Sequence, residues 1–170
     1  MNRAETDGQH IVIDVAGQSL KLFDGERLLR QWVVSTARNG VGERQGSECT
    51  PLGAHRIRLK IGEGCEEGTV FVARRPTGER YATEIARRNP GRDWILSRIL
   101  WLTGTESGFN RGGDRDTLRR FIYIHGCPDS EPMGIPRSHG CVRMRNRDVI
   151  ELFDRVENGC PVQIVERAGR

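Results

Sequence analysis

Two His-Gly-Cys units lie close together near the C-terminal end of the chain: His125-Gly126-Cys127, and His139-Gly140-Cys141 inside the run Ser138-His139-Gly140-Cys141-Val142-Arg143-Met144. Histidine and cysteine at short spacing can do three things. They can bind zinc, but structural zinc sites usually space their ligands C-x₂₋₄-C or H-x₃₋₅-H, and a single glycine between each pair loosens the geometry. They can be two glycine turns with small buried thiols, which is what most free cysteines are; this suits Cys127 and also Cys49, Cys65 and Cys160. Or they can be a nucleophile with its base. A free thiol titrates near 8.5, so a histidine must take the proton of a cysteine that attacks at neutral pH. Cys141 fits that role best, with His-Gly before it and Arg143 after it. His125 is the expected base and His139 the competing one, geometrically constrained by its closeness. Glycine at 140 lets backbone N–H groups approach a reacting carbonyl, so the amides of Gly140 and Cys141 are expected oxyanion donors.

These side chains need elements to hold them. The segments 10–15 and 19–23 alternate apolar and polar around a short turn at Ala16-Gly17-Gln18, which predicts a hairpin, and 28–36 reads as a third strand. Glycines and charges make 39–48 a loop. The turn Thr50-Pro51-Leu52-Gly53 leads into a strand with His55, Ile57, Leu59 and Ile61 on one face and Arg56, Arg58 and Lys60 toward water. The run 94–102 is apolar on every side, and periodicity leaves it open between strand and helix. Residues 108–116 read as an exposed loop. The next strand, 121–125, places Phe121, Tyr123 and His125 on one face, with His125 at its end. After Cys141 a helix is expected, capped by Asn146, with Asp148 in its first turn, an apolar stripe of Val149, Leu152, Phe153 and Val156, and Gly159 as its stop. A closing strand follows at 161–166.

Length and composition narrow the class. A chain of 170 residues, 36% hydrophobic and 29% charged, predicts one soluble globular domain able to bury roughly 70% of its unfolded surface. No apolar run approaches the ~18 residues that cross a bilayer, so no membrane span is expected. The charge is +4, and only Lys21 and Lys60 of the 27 basic residues are lysines. Arginine forks suit carboxylates or phosphates, but basic and acidic residues are interspersed without interleaved aromatics, which argues against nucleic acid. Five unpaired-looking cysteines and an opening MNRAETDGQH without an apolar segment predict a cytoplasmic protein if that start is native, with a periplasmic one as the alternative.

A strand ending in His-Gly, a spacer, and then Ser-His-Gly-Cys-Val-Arg-Met resembles the YkuD-type L,D-transpeptidases of bacterial peptidoglycan metabolism; Thr50-Pro51-Leu52-Gly53 is similar to another recurrent element of that family. The resemblance implies a mainly β fold of two packed sheets with a few helices, one following the catalytic loop, and no metal or other cofactor. It implies Cys141 as nucleophile, His125 as general base, the Gly126 carbonyl orienting the imidazole, and Ser138 and His139 shaping the loop. Arg143, Tyr123 and Arg111 are the expected substrate contacts. Cys127 departs from the family pattern. The implied substrate is a peptidoglycan tetrapeptide stem or muropeptide, attacked at an L-centre carbonyl with loss of terminal D-alanine. Water as acceptor makes an L,D-carboxypeptidase of muropeptide recycling, the reading preferred for a cytoplasmic chain; an amine makes a periplasmic cross-linking or exchanging transpeptidase. A silent peptidoglycan-binding or zinc-stabilised module is the alternative of another class.

Overall fold

A computed structural model describes residues 8–169. Most of the opening segment that carries the compartment expectation lies outside them. The first hairpin forms as the alternation requires: β1 (Gln9–Asp14) pairs antiparallel with β2 (Ser19–Asp24), with Ile11 opposite Leu22 and Ile13 opposite Leu20. All four of these side chains are fully buried. Strand β3 (Arg27–Val33) extends the edge beyond β2. The closing strand β10 (Pro161–Val165) inserts between β1, to which it runs parallel, and β4 (Gly53–Ile61).

Strand β7 (Ile95–Gly104) settles the ambiguous apolar run, and its position explains why periodicity could not. It is sandwiched by apolar layers: Leu100 and Leu102 enter the main core, while Ile99 and Trp101 pack on the opposite side with Phe71 and Tyr123. A strand buried on both faces reads as a continuous hydrophobic run. One edge of β7 carries β4 and then β5 (Thr69–Val72), which is hairpinned to β6 (Arg75–Arg80); its other edge carries β8 (Tyr123–Gly126), followed by β9 (Val142–Met144). The mainly β architecture is therefore one hydrogen-bonded network that branches at β7 and presents two apolar layers. Two helices complete it, α1 (Thr83–Arg88) and α2 (Asn146–Arg155).

Two local expectations are corrected. Leu59 is 41% exposed, because the β4–β7 ladder shifts register between Ile57 and Leu59 and the bulge inverts the alternation beyond it. Asn146 does not cap α2; Arg145 holds the cap position, and the Asn146 side chain is buried, accepting from Ser97 Oγ at 2.7 Å and donating to the Cys127 carbonyl at 3.0 Å. The apolar stripe of α2 is as expected, with Val149, Leu152 and Phe153 buried, each burial stabilising by roughly 1.5–3 kcal/mol. This anchors the segment that follows the SHGCVRM run.

Candidate active site

Strands β8 and β9 run parallel, with Ile124 opposite Val142, His125 opposite Arg143 and Gly126 opposite Met144. Side chains alternate between faces along each strand and paired residues point the same way. Ile124, Val142 and Met144 accordingly enter the main core, and Tyr123, His125, Cys141 and Arg143 share the opposite face. The parallel pairing thus brings the two sequence-distant motifs side by side. Phe121 is not part of this face as expected from alternation: it lies before the strand, with φ 56° and half its surface exposed.

His125 is completely buried, and its Nδ1 is 2.7 Å from the Gly126 carbonyl oxygen. A carbonyl only accepts, so Nδ1 carries the hydrogen and Nε2 is left with a free lone pair. Nε2 is buried without a hydrogen-bond partner. Burial lowers the imidazole pKa, against the nearby Asp93 carboxylate and the Gly126 hydrogen bond, with Arg143 lowering it further. Gly126 has no room for a side chain: an added Cβ would collide with Asn146 Oδ1 and lie 2.6 Å from the Leu96 carbonyl oxygen.

The Cys141 sulfur accepts from the Tyr123 backbone N–H at 3.3 Å, and its thiol donates to the Phe121 carbonyl at 3.4 Å. Burial pushes the thiol up to about 12; the Tyr123 N–H, Arg143 and Arg120 work against that rise, and Asp93 adds to it. The Cys141 thiol and the His125 imidazole thus both rest neutral, the imidazole with Nε2 free to accept a proton.

The loop before Cys141 is braced by polar groups. Ser138 Oγ donates to the Cys141 carbonyl at 2.5 Å and accepts from Gly140 N at 3.3 Å, so it ties the turn together and engages the Gly140 amide in this state. Thr50 Oγ1, from the Thr-Pro-Leu-Gly turn, donates to the Gly140 carbonyl at 2.9 Å. Gly140 has φ 128°, and a Cβ there would meet Ile122 Cδ1 at 3.2 Å and the Cys49 carbonyl at 3.3 Å. Arg120 Nη2 holds that Cys49 carbonyl at 2.7 Å.

A cavity of about 390 Å³ is lined by Asp93, Glu131, Arg137, His139 and Arg143, among others; it is bordered by the neighbours of His125 and Cys141 rather than by those two residues themselves. Arg143 is nearly buried and its fork is closed by two carboxylates, Asp93 at 3.0 Å and Glu131 at 3.4 Å. It lines the cavity but braces it, with its charge already answered. His139 is exposed, its Nδ1 3.6 Å from Asp93. Arg111 lies exposed in the connection from β7 to β8, its backbone bridged to Ser107, and does not line the cavity. Cys127 is fully buried with its thiol toward the Met144 carbonyl at 3.5 Å. Among the described residues no group of three His, Cys, Asp or Glu is arranged to hold a metal ion.

Asp93, Arg120 and Glu131 were not singled out from sequence, and Thr50 only as the first residue of its turn. Asp93 follows Asn89-Pro90-Gly91-Arg92, which reads as an ordinary turn; only the fold sets it against β9. Asp93→Asn is expected to lower stability by about 1 kcal/mol in chemical denaturation, well below the ~3–5 kcal/mol of a fully buried broken pair, because Asp93 is 42% exposed and Glu131 still meets Arg143. No change in the denaturation midpoint would show that the pair adds nothing to the fold.

Residues 8–164 match the L,D-transpeptidase catalytic domain, YkuD. The chain belongs to the YkuD family. Membership makes it a cysteine enzyme of that family. The YkuD domain is 44% identical over 130 residues to "Probable L,D-transpeptidase ErfK/SrfK" of Salmonella typhimurium, covering 69% of this chain and 40% of that protein. It is 33% identical over 94 residues to YkuD of Bacillus subtilis, covering 55% of this chain and 47% of that protein. The chain thus matches less than half the length of either relative. Its fold is that of the L,D-transpeptidase of Xylanimonas cellulosilytica (TM-score 0.54, 20% identity, 94% of this chain and 61% of that one) and of the one from Mycobacterium smegmatis (TM-score 0.56, 17% identity, 92% and 58%).

Proposed function

We propose that the protein cleaves the bond between an L-configured centre and the terminal D-alanine of peptidoglycan tetrapeptide stems, with water as its acceptor. The observation that carries the acyl-transfer reading is the buried, unpartnered Nε2 of His125, held in the accepting tautomer on the strand face that also bears Cys141. In the first step a bond forms between Cys141 sulfur and the stem carbonyl, and the C–N bond to D-alanine breaks. The thiol proton passes through His125 to the leaving amine. Water then attacks the thioester, its proton returns through His125 to the sulfur, and the tripeptide leaves. A cavity of about 390 Å³ lined by His139 and Arg143, which flank Cys141 in its motif, is within the usual range for a small bound ligand. The second reading, transfer to an amine with cross-linking or D-amino-acid exchange, is favoured by the name carried by the Salmonella relative.

The test is mass spectrometry of protein and products with a tetrapeptide muropeptide, first alone and then with excess glycine, D-methionine or a second stem. An adduct on Cys141, free D-alanine and tripeptide in both mixtures are expected. Cross-linked dimer as the main product would replace hydrolysis by transpeptidation. Absence of any adduct or product would remove the acyl-transfer reading.

A further inference from the structure

The hairpin of β5 and β6 turns on two residues, Ala73 and Arg74, both at positive φ (48° and 64°). Two-residue turns of this kind normally use Asn or Gly, because a side chain at positive φ crowds the backbone. An arginine is held there instead. Its guanidinium carbon lies 4.7 Å from the Trp101 ring centre and 4.8 Å from that of Phe121, and Nη1 donates to the Tyr123 hydroxyl at 3.1 Å. Phe121 and Tyr123 are also the two residues whose backbone groups contact the Cys141 sulfur. The residues whose main chain fixes the nucleophile are therefore those whose side chains fix this cation.

Arg74 differs from Arg143 in what answers its charge. Arg143 faces two carboxylates, whereas among the described residues no carboxylate lies within ion-pair range of Arg74. A guanidinium has five N–H donors in a rigid fork, and aromatic faces orient it without using most of them. Half-buried between rings, with donors to spare, Arg74 lacks an anion.

The geometry points to Arg74, outside the Arg143 cavity and on the aromatic residues that hold Cys141, as the site that binds the free carboxylate of the residue following the scissile bond. This rests on the acyl-transfer reading for its substrate. Successive residues of a peptide are about 3.8 Å apart and a charge-assisted N–H···O bond adds about 2.8 Å. A single residue, Tyr123 or Phe121, links the sulfur to the guanidinium, so the stem carboxylate nearest the attacked carbonyl is the one this site meets. The site therefore selects stems that end one residue past the attacked carbonyl, and discriminates against stems whose terminal carboxyl is amidated or extended.

Two measurements on wild type and Arg74→Gln test this, with circular dichroism confirming the fold. In the first, kcat/KM is compared for a tetrapeptide with a free C-terminal carboxylate and for its carboxamide. Wild type is expected to favour the acid about tenfold, and the variant to bring that ratio near one. The second does not depend on acyl transfer: Cys141 is alkylated with 3-maleimidopropionate or its methyl ester, and labelling of that residue is read by peptide mapping. The acid-to-ester rate ratio is expected to fall about fivefold in the variant. An unchanged ratio in either assay overturns the proposal, as does an equal loss on acid and carboxamide, which would mark the hairpin as merely structural. If no tetrapeptide acylates the protein but the maleimide ratio still falls, the carboxylate site stands and the acyl-transfer reading fails.

Discussion

Cys141→Ala is expected to abolish acyl-enzyme formation and turnover, a loss of about 10⁴-fold or more, while Cys127→Ala keeps most activity. Both cysteines follow His-Gly, but only Cys141 lies in the run Ser138–Met144. Their surroundings differ too. The Cys141 sulfur lies on the same face of the β8–β9 pair as His125 and touches the backbone of Tyr123 and Phe121. Cys127 is fully buried past the end of β8, directed at the Met144 carbonyl, and burial pushes its thiol up to about 12. Burial raises both thiols alike, so acidity does not separate them; the strand face that Cys141 shares with the accepting imidazole does. Removing the Cys127 sulfur should cost about 1 kcal/mol of stability through a small void, without reaching the reacting atoms. Intact mass after incubation with tetrapeptide measures the first effect and denaturation the second. Equal loss of activity in two folded variants would point to a paired-thiol site instead.

His125→Ala is expected to slow acylation by about 10²- to 10⁴-fold, and His139→Ala by less than about tenfold. The difference follows from the partners of each ring. The Gly126 carbonyl fixes the His125 tautomer and leaves Nε2 free, whereas His139 is 59% exposed with Asp93 at 3.6 Å from its Nδ1. The pH profile gives a second readout. The His125 pKa is lowered by burial, opposed by Asp93 and the Gly126 hydrogen bond and aided by Arg143. The active, neutral imidazole therefore persists below the ordinary value of about 6.5, and acylation should be flat through neutrality and fall only in more acidic solution. His55 must be separated from this effect. Burial pushes it down to about 4, so between about 6.5 and 4 the unfolded chain binds more protons than the folded one, and stability declines as pH falls through that window. Circular dichroism over the same range distinguishes loss of base from loss of fold. Acylation rates in the reverse order for the two variants would assign the base to His139.

Much of this was legible along the chain. The first hairpin, the loop after β3, the helix following the SHGCVRM run and the closing strand are local patterns, set by alternation, helical period and turn chemistry within a dozen residues. Cys141 and His125 stood out as candidates for a related reason: their residue types and His-Gly context constrain the chemistry before any fold is known. The strand β7 was not, because a segment buried on both faces loses the periodicity that would name it. Leu59 was misplaced because a bulge depends on the partner strand β7, and Asn146 because a buried amide can satisfy Ser97 and Cys127 instead of a helix end. The same limit governs the charges. An arginine inside the motif looks free to bind an anion, and one at a hairpin tip looks like a solvated surface residue. Only the tertiary structure brings Asp93 and Glu131 to Arg143 and leaves Arg74 on aromatic rings without a carboxylate, because what a charge can bind depends on which groups the fold has already placed around it.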